Sequence, residues 1–297
     1  MKAIVISGGG SKGAFAGGVA QYLIEEEQKK YDMFLGTSTG SLIAPLLGLD
    51  NVPKLKEIYT SVNQRSIFSN NPFVVRKKKG ETFISINYFN VFTQQLKGKR
   101  TFGETKKLRK LIKVKFSKEE FTSLKASGKE VVVTVTNLTK NRVEYKSIKD
   151  HNYEDFCDWI WISCNYVPFM SLATKNGDEY ADGGFGCIVP IHEAIKRGAT
   201  EVDAIILETE SGVANKKLGR NPFSLMVNLF SFLIDQVERH DINIGKLSAK
   251  YKDVKLNLYF TPTKLTDNSL IFNKKQMAEW WEQGYHHAKM KNKELEE

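Results

Sequence analysis

Ser38 stands in the string Gly36, Thr37, Ser38, Thr39, Gly40, directly after the apolar run Met33, Phe34, Leu35. A serine hydroxyl is a weak nucleophile until a neighbouring base takes its proton. The GxSxG spacing suits that task. The serine sits on a tight turn between a strand and a helix, and Gly36 and Gly40 let the two backbones pass closely enough to push its hydroxyl into the open. Gly, Ser and Thr are also ordinary turn residues, so a plain turn is the competing reading.

The stretch from Ser7 to Gly18, SGGGSKGAFAGG, follows the run Ile4, Val5, Ile6 and precedes a helical pattern at Val19, Ala20, Tyr22, Leu23 and Ile24. Gly8 to Gly13 matches GxGxxG, but a dinucleotide reader wants an acid near the end of the second strand, and the GTSTG turn occupies that place. A phosphate-binding Walker loop fails as well, because Lys12 precedes Gly13 and lacks the required Ser or Thr. The other use of a glycine loop at a helix start is to offer unpartnered N–H groups to developing negative charge. Gly8, Gly9, Gly10 and Gly13, with the N–H of Thr39, are the candidate oxyanion donors. Lys12 is expected either to orient this loop, to meet a lipid phosphate, or to be a solvated surface lysine.

Ser38 needs a base, and the five histidines, His151, His192, His240, His286 and His287, sit in no recognisable strand-end context. Asp182 is better placed. It ends a strand and opens the turn Gly183, Gly184, and burial beside Ser38 would raise its basicity. A plain glycine turn is again the alternative. Cys157, Cys164 and Cys187 show neither a disulfide framework nor paired metal-ligand spacing, so buried or free thiols are expected, with no metal and no cofactor.

The elements that must position these groups read as alternating strand and helix over the first 50 residues, which predicts a mainly parallel sheet covered by helices on both faces. Strands are also expected at 129–137, 142–148, 202–207 and 254–260. Asn176 and Gly177 form a hairpin turn that leads into Asp182. Helices are expected at 152–162, 191–197 and 274–291, and Ser117 with Glu120 fits a capping box. Residues 63–103 read as a surface insertion on a single domain spanning 1–297. The 297 residues are 41% hydrophobic and 26% charged, and no apolar run is long enough to span a bilayer. The N-terminal apolar run is too short for a signal peptide, so a cytoplasmic protein is expected.

The excess of 44 Lys and Arg over 34 Asp and Glu gives a net charge of +10, which favours an anionic partner, a phospholipid surface or a nucleic acid. No nucleic-acid-reading motif is present, so none is expected as partner. The run Arg76 to Lys79 between Phe73 and Phe83 is a candidate for anionic headgroups, with a solvated loop as the plainer reading. The segment 222–237, apolar on nearly all sides, reads as a core helix, with a lid or interfacial helix as the alternative. Of Trp280 and Trp281, one is expected in the core and the other exposed.

In this order and at these positions, SGGGSKGAFAGG, GTSTGS and DGG resemble the patatin-like phospholipase family of serine acyl hydrolases. The resemblance covers most of residues 1–210 and implies a three-layer α/β/α fold. It implies Ser38 as nucleophile, Asp182 as its only catalytic partner and the glycine block as oxyanion hole, with phospholipid or lysophospholipid as substrate and peripheral contact with membranes. The segment SCNYVPFM is similar to the family's block before the aspartate but carries Asn165 and Tyr166 where small residues are common, which implies a differently shaped acyl pocket. The alternatives are an acyl transferase sharing the GxSxG elbow, which would want a catalytic histidine, and a basic nucleotide-binding module using GxGxxG.

Overall fold

The computed structural model describes residues 1–78, 81–211 and 222–296, and their side chains except at 77–78, 81–83, 222–224, 226–227 and 294–296. The chain opens as β1 (Lys2–Ile6), α1 (Gly13–Gln21), β2 (Met33–Thr37) and α2 (Thr39–Gly48). There follow α3 (Val52–Ser61), α4 (Gln64–Ile67), β3 (Phe73–Lys78), β4 (Glu81–Ile86), α5 (Tyr88–Leu96), α6 (Lys106–Lys115) and α7 (Lys118–Ala126). The rest is β5 (Glu130–Asn137), β6 (Arg142–Ser147), α8 (Tyr153–Ser163), β7 (Ala173–Lys175), β8 (Asp178–Asp182), α9 (Ile191–Lys196), β9 (Glu201–Ile206), α10 (Pro222–Tyr251), β10 (Lys255–Phe260) and α11 (Lys274–Glu296). Both bonds of the Ser117–Glu120 capping box form at the start of α7.

One sheet runs in the order β10-β9-β1-β2-β5-β8-β7, with β6 beside β5. From β10 to β5 all pairings are parallel, and β6, β7 and β8 add an antiparallel margin. Parallel neighbours need crossover connections, and α1 between β1 and β2 is one of them. Alternate residues of β1 feed opposite faces. Ile4 and Ile6 join the core under α1, α2 and α8, whereas Ala3 and Val5 join a second core with Ile191, Ala194 and Ile242 from α9 and α10. Helices therefore cover both faces of a mostly parallel sheet.

The decisive join is on β5. One edge pairs with β6 over 132–137, while the other pairs first with β2, ending at Thr37 opposite Thr134, and then with β8, where Asp182 lies opposite Val135. The strand that leads to Ser38 and the strand that ends in Asp182 therefore meet end to end on one neighbour.

Three details differ from expectation. Trp280 and Trp281 are both buried. The indole of Trp281 packs where Gly17 on α1 leaves room and donates to Oε1 of Gln21 at 2.7 Å, so neither ring is left for solvent. The segment 222–237 is not a core helix: Leu225, Leu229, Phe232 and Leu233 are 63%, 56%, 52% and 48% exposed. Its helix is anchored instead by its later half, through Ile242, Gly245 and Ala249 against α9 and the sheet. The basic run continues strand β3 instead of forming a loop. Arg76 is exposed there, while Lys79 and the side chains of Lys77 and Lys78 lie outside the described residues.

Between residues 63 and 103 lie α4, the β3–β4 hairpin, which forms a separate two-stranded sheet, and α5. Among the described residues no helix is long and apolar enough to cross a membrane.

Candidate active site

Ser38 ends β2 and caps α2 with φ 54° and ψ −117°. A non-glycine residue at positive φ stores strain of about 1–3 kcal/mol and needs its surroundings to hold it. Here they do. The Ser38 N–H donates to Oγ of Ser163 at 2.9 Å, and its carbonyl accepts from Oγ of Ser41 at 2.6 Å and Sγ of Cys164 at 3.2 Å. Gly36 and Gly40 are required by close approach, since a Cβ on Gly36 would overlap the Gly40 backbone and one on Gly40 the carbonyl of Ile6. Ser38 is only partly buried and lies at the positive end of α2.

Asp182 is 3% exposed. Its N–H donates to the Asn165 carbonyl at 2.9 Å, and its Oδ1 accepts the Gly184 N–H at 2.8 Å. Burial pushes its carboxyl up to about 7, against the opposing pull of hydrogen bonds from Gly184 and the Ser38 side chain. A carboxylate so desolvated is a far better proton acceptor than an exposed one. Gly183 and Gly184 fold the chain in a short 3-10 turn directly beyond it.

The glycine loop divides into two sets of N–H groups. That of Gly8 donates to the Ile188 carbonyl at 3.2 Å, and that of Gly13 donates back to Gly10 and Ser11. Both are engaged within the fold, which takes Gly8 and Gly13 out of the expected donor set. The N–H groups of Gly9, Gly10 and Thr39 have no acceptor among the described residues, and all three residues line the same cavity as Ser38. Gly10 adopts φ +54°. Lys12 is not a surface lysine. It is 7% exposed, and its ammonium is bound to the Glu208 carboxylate.

The cavity measures about 690 Å³ and takes in Ser38, Asp182 and Gly184. That is ample for a drug-sized or lipid-like ligand. One wall, from α2, α3 and α6, is apolar, with Leu42, Leu46, Ile58, Val62 and Ile112. Another, from the glycine loop, the end of β9, α10 and residues 264–269, carries Lys12, Glu208, Asp235, Glu238 and Lys264. None of the five histidines lines it. Asn165 is wholly buried and accepts from the Thr105 hydroxyl at 2.6 Å, while Tyr166 lines the cavity and stacks on Phe185 at 5.0 Å.

Sequence reasoning missed several supports. Ser163 and Cys164 clamp Ser38 from the end of α8, and a clamp that forms 125 residues away leaves no local pattern. Asp241 of α10 accepts the N–H groups of Ile188 and Val189 at 2.6 and 3.0 Å, fixing the loop whose carbonyl holds Gly8. Burial pushes the Asp241 carboxyl up to about 6 and that of Glu238 up to about 8.

A family model described as patatin-like phospholipase matches residues 4–195. No curated protein matches the chain. Among solved structures, the crystal structure of VipD from Legionella pneumophila is similar at 15% sequence identity and a TM-score of 0.48. The likeness covers 97% of this chain and 66% of the length of that one.

Proposed function

The chain belongs to the patatin-like phospholipase family, and from that premise we propose that it is a serine lipid acyl hydrolase that cleaves fatty-acyl esters of phospholipids or lysophospholipids with Ser38 and Asp182 as a dyad. The observation that carries the reading is that the buried, proton-hungry carboxyl of Asp182 and a serine held at positive φ stand at strand ends that meet on β5 and line one cavity. Asp182 takes the proton as Ser38 Oγ attacks the ester carbonyl, and the N–H groups of Gly9, Gly10 and Thr39 hold the oxyanion. The leaving alcohol takes that proton as the carbonyl reforms. Water, deprotonated by Asp182, then attacks the acyl-enzyme and releases the fatty acid and Ser38. The absence of histidine from the cavity wall leaves both proton transfers to Asp182.

Peripheral work at a membrane face is supported by two helices that contribute to the cavity wall and carry exposed apolar side chains. On α5 these are Tyr88, Phe89 and Phe92, and on α10 Leu229, Phe232 and Leu233. Exposed apolar side chains on helices that also line the cavity fit the edge of an acyl layer. The test is hydrolysis of p-nitrophenyl butyrate and of phospholipid in mixed micelles by wild type and Ser38→Ala. Loss of about 10³-fold or more in kcat is expected, together with loss of labelling by a fluorophosphonate probe. A Ser38→Ala protein with full activity refutes the dyad.

A further inference from the structure

The charged wall of the cavity has a composition that acyl transfer does not require. Glu238 is 6% exposed, lines the cavity and accepts no hydrogen bond among the described residues. Asp235, one turn earlier on α10, faces the same space, and Glu208 joins from the end of β9. The cations of this wall are Lys12, Arg239 and Lys264. Lys12 is bound to Glu208, Lys264 is paired with Asp267 at 3.1 Å, and Arg239 is exposed. Glu238 is therefore left at the most buried point of the wall with no hydrogen-bond donor of its own among the described residues, and its burial holds it protonated until a cation arrives. Among the described residues no three acidic, His or Cys side chains are placed to hold a metal ion. A buried carboxylate without a donor is costly unless a ligand supplies one.

Resting on the hydrolase reading above, we propose that this wall is a headgroup site for a protonated primary amine, so that the substrate class is an ethanolamine-type zwitterionic phospholipid or its lyso form. The groups of this wall offer a partner for each part of such a molecule. Gly9 and Gly10 take the ester oxyanion. The Lys12 side chain lies against this loop, its Cε 3.3 Å from where a Cβ on Gly9 would sit. Beyond the bond to Glu208 its ammonium has further N–H donors for the phosphate. Asp235 and Glu238 then accept N–H bonds from the headgroup ammonium, which ionises Glu238 as it binds. A glycerol headgroup offers those carboxylates no charge and leaves the phosphate's negative charge facing theirs.

The experiment compares phosphatidylethanolamine with phosphatidylglycerol of identical acyl chains, each in neutral detergent micelles, and reads the ratio of their kcat/KM values on one preparation, which cancels any unfolded fraction. Wild type is expected to favour phosphatidylethanolamine by about tenfold or more, the factor that one charge-assisted contact supplies. Glu238→Gln is expected to bring the ratio down about tenfold. Asp235→Asn, at a more exposed position that tolerates substitution, moves it in the same direction. A wild-type ratio near one, a preference for phosphatidylglycerol, or an unchanged ratio in both variants overturns the headgroup site. Hydrolysis of p-nitrophenyl butyrate by the same wild-type preparation separates the two levels. If that ester is cleaved and the ratio is flat, only the headgroup site falls; if neither phospholipid nor the short ester is cleaved, the hydrolase reading falls and takes the site with it.

Discussion

Asp182→Asn is expected to inactivate the protein and to stabilise it, and the size of the second effect follows from the burial of the carboxyl. The group titrates near 3.8 when exposed and is pushed up to about 7 in the fold. Between these two pH values the folded state holds a proton that the unfolded state has released, so folding stability falls as pH rises through that window. Below it the penalty is absent, and above about 7 it is complete. The displacement of roughly 3 units, at 1.36 kcal/mol each, sets a cost of about 4 kcal/mol at alkaline pH. An asparagine keeps an oxygen for the Gly184 N–H and offers an amide to the Ser38 oxygen, yet never ionises. Urea unfolding of wild type and Asp182→Asn at pH 4.5 and pH 8.5 measures the difference directly: the variant gains little at the lower pH and up to about 4 kcal/mol at the higher. Activity must report the same group with the opposite sign, because only the ionised carboxyl accepts the serine proton. The kcat/KM of wild type is expected to rise with a midpoint near pH 7. A stability gap that does not change with pH, or a pH–rate profile flat from 5 to 9, refutes the assignment of Asp182 as the titrating base.

Two further predictions concern how the site is held and reached. Ser163→Ala removes the acceptor for the Ser38 N–H; leaving that group unpaired costs about 1–3 kcal/mol, and the expected result in steady-state kinetics is a lower kcat for p-nitrophenyl butyrate with KM little changed. Exchanging both Phe89 and Phe232 for Asp places charge on the exposed ridges of α5 and α10 and is expected to release the protein from sedimenting phospholipid vesicles, whereas retention at the wild-type level would remove these helices from the docking face.

What could be read in the sequence is what local chain chemistry specifies. The alternation of β-branched runs with glycine-broken helical segments placed β1, α1, β2 and α2, and Asn176 with Gly177 placed the hairpin that ends in Asp182. The donor set could not be read. Whether the N–H of Gly8 or of Gly9 is free depends on the Ile188 carbonyl, which arrives from a loop 180 residues away. The helix α10 shows the same limit from the other side. Its first half is apolar all round, which in an isolated sequence means burial, but burial needs a partner surface. The sheet's second core is already closed by α9 and by Ile242 and Ala249 further along α10. Among the described residues of the earlier turns, Ile234 packs against that core and, with Phe230, lines the cavity. Leu225, Leu229, Phe232 and Leu233 thus stay exposed on a helix that packs through only one side, which a sequence apolar on every side cannot announce.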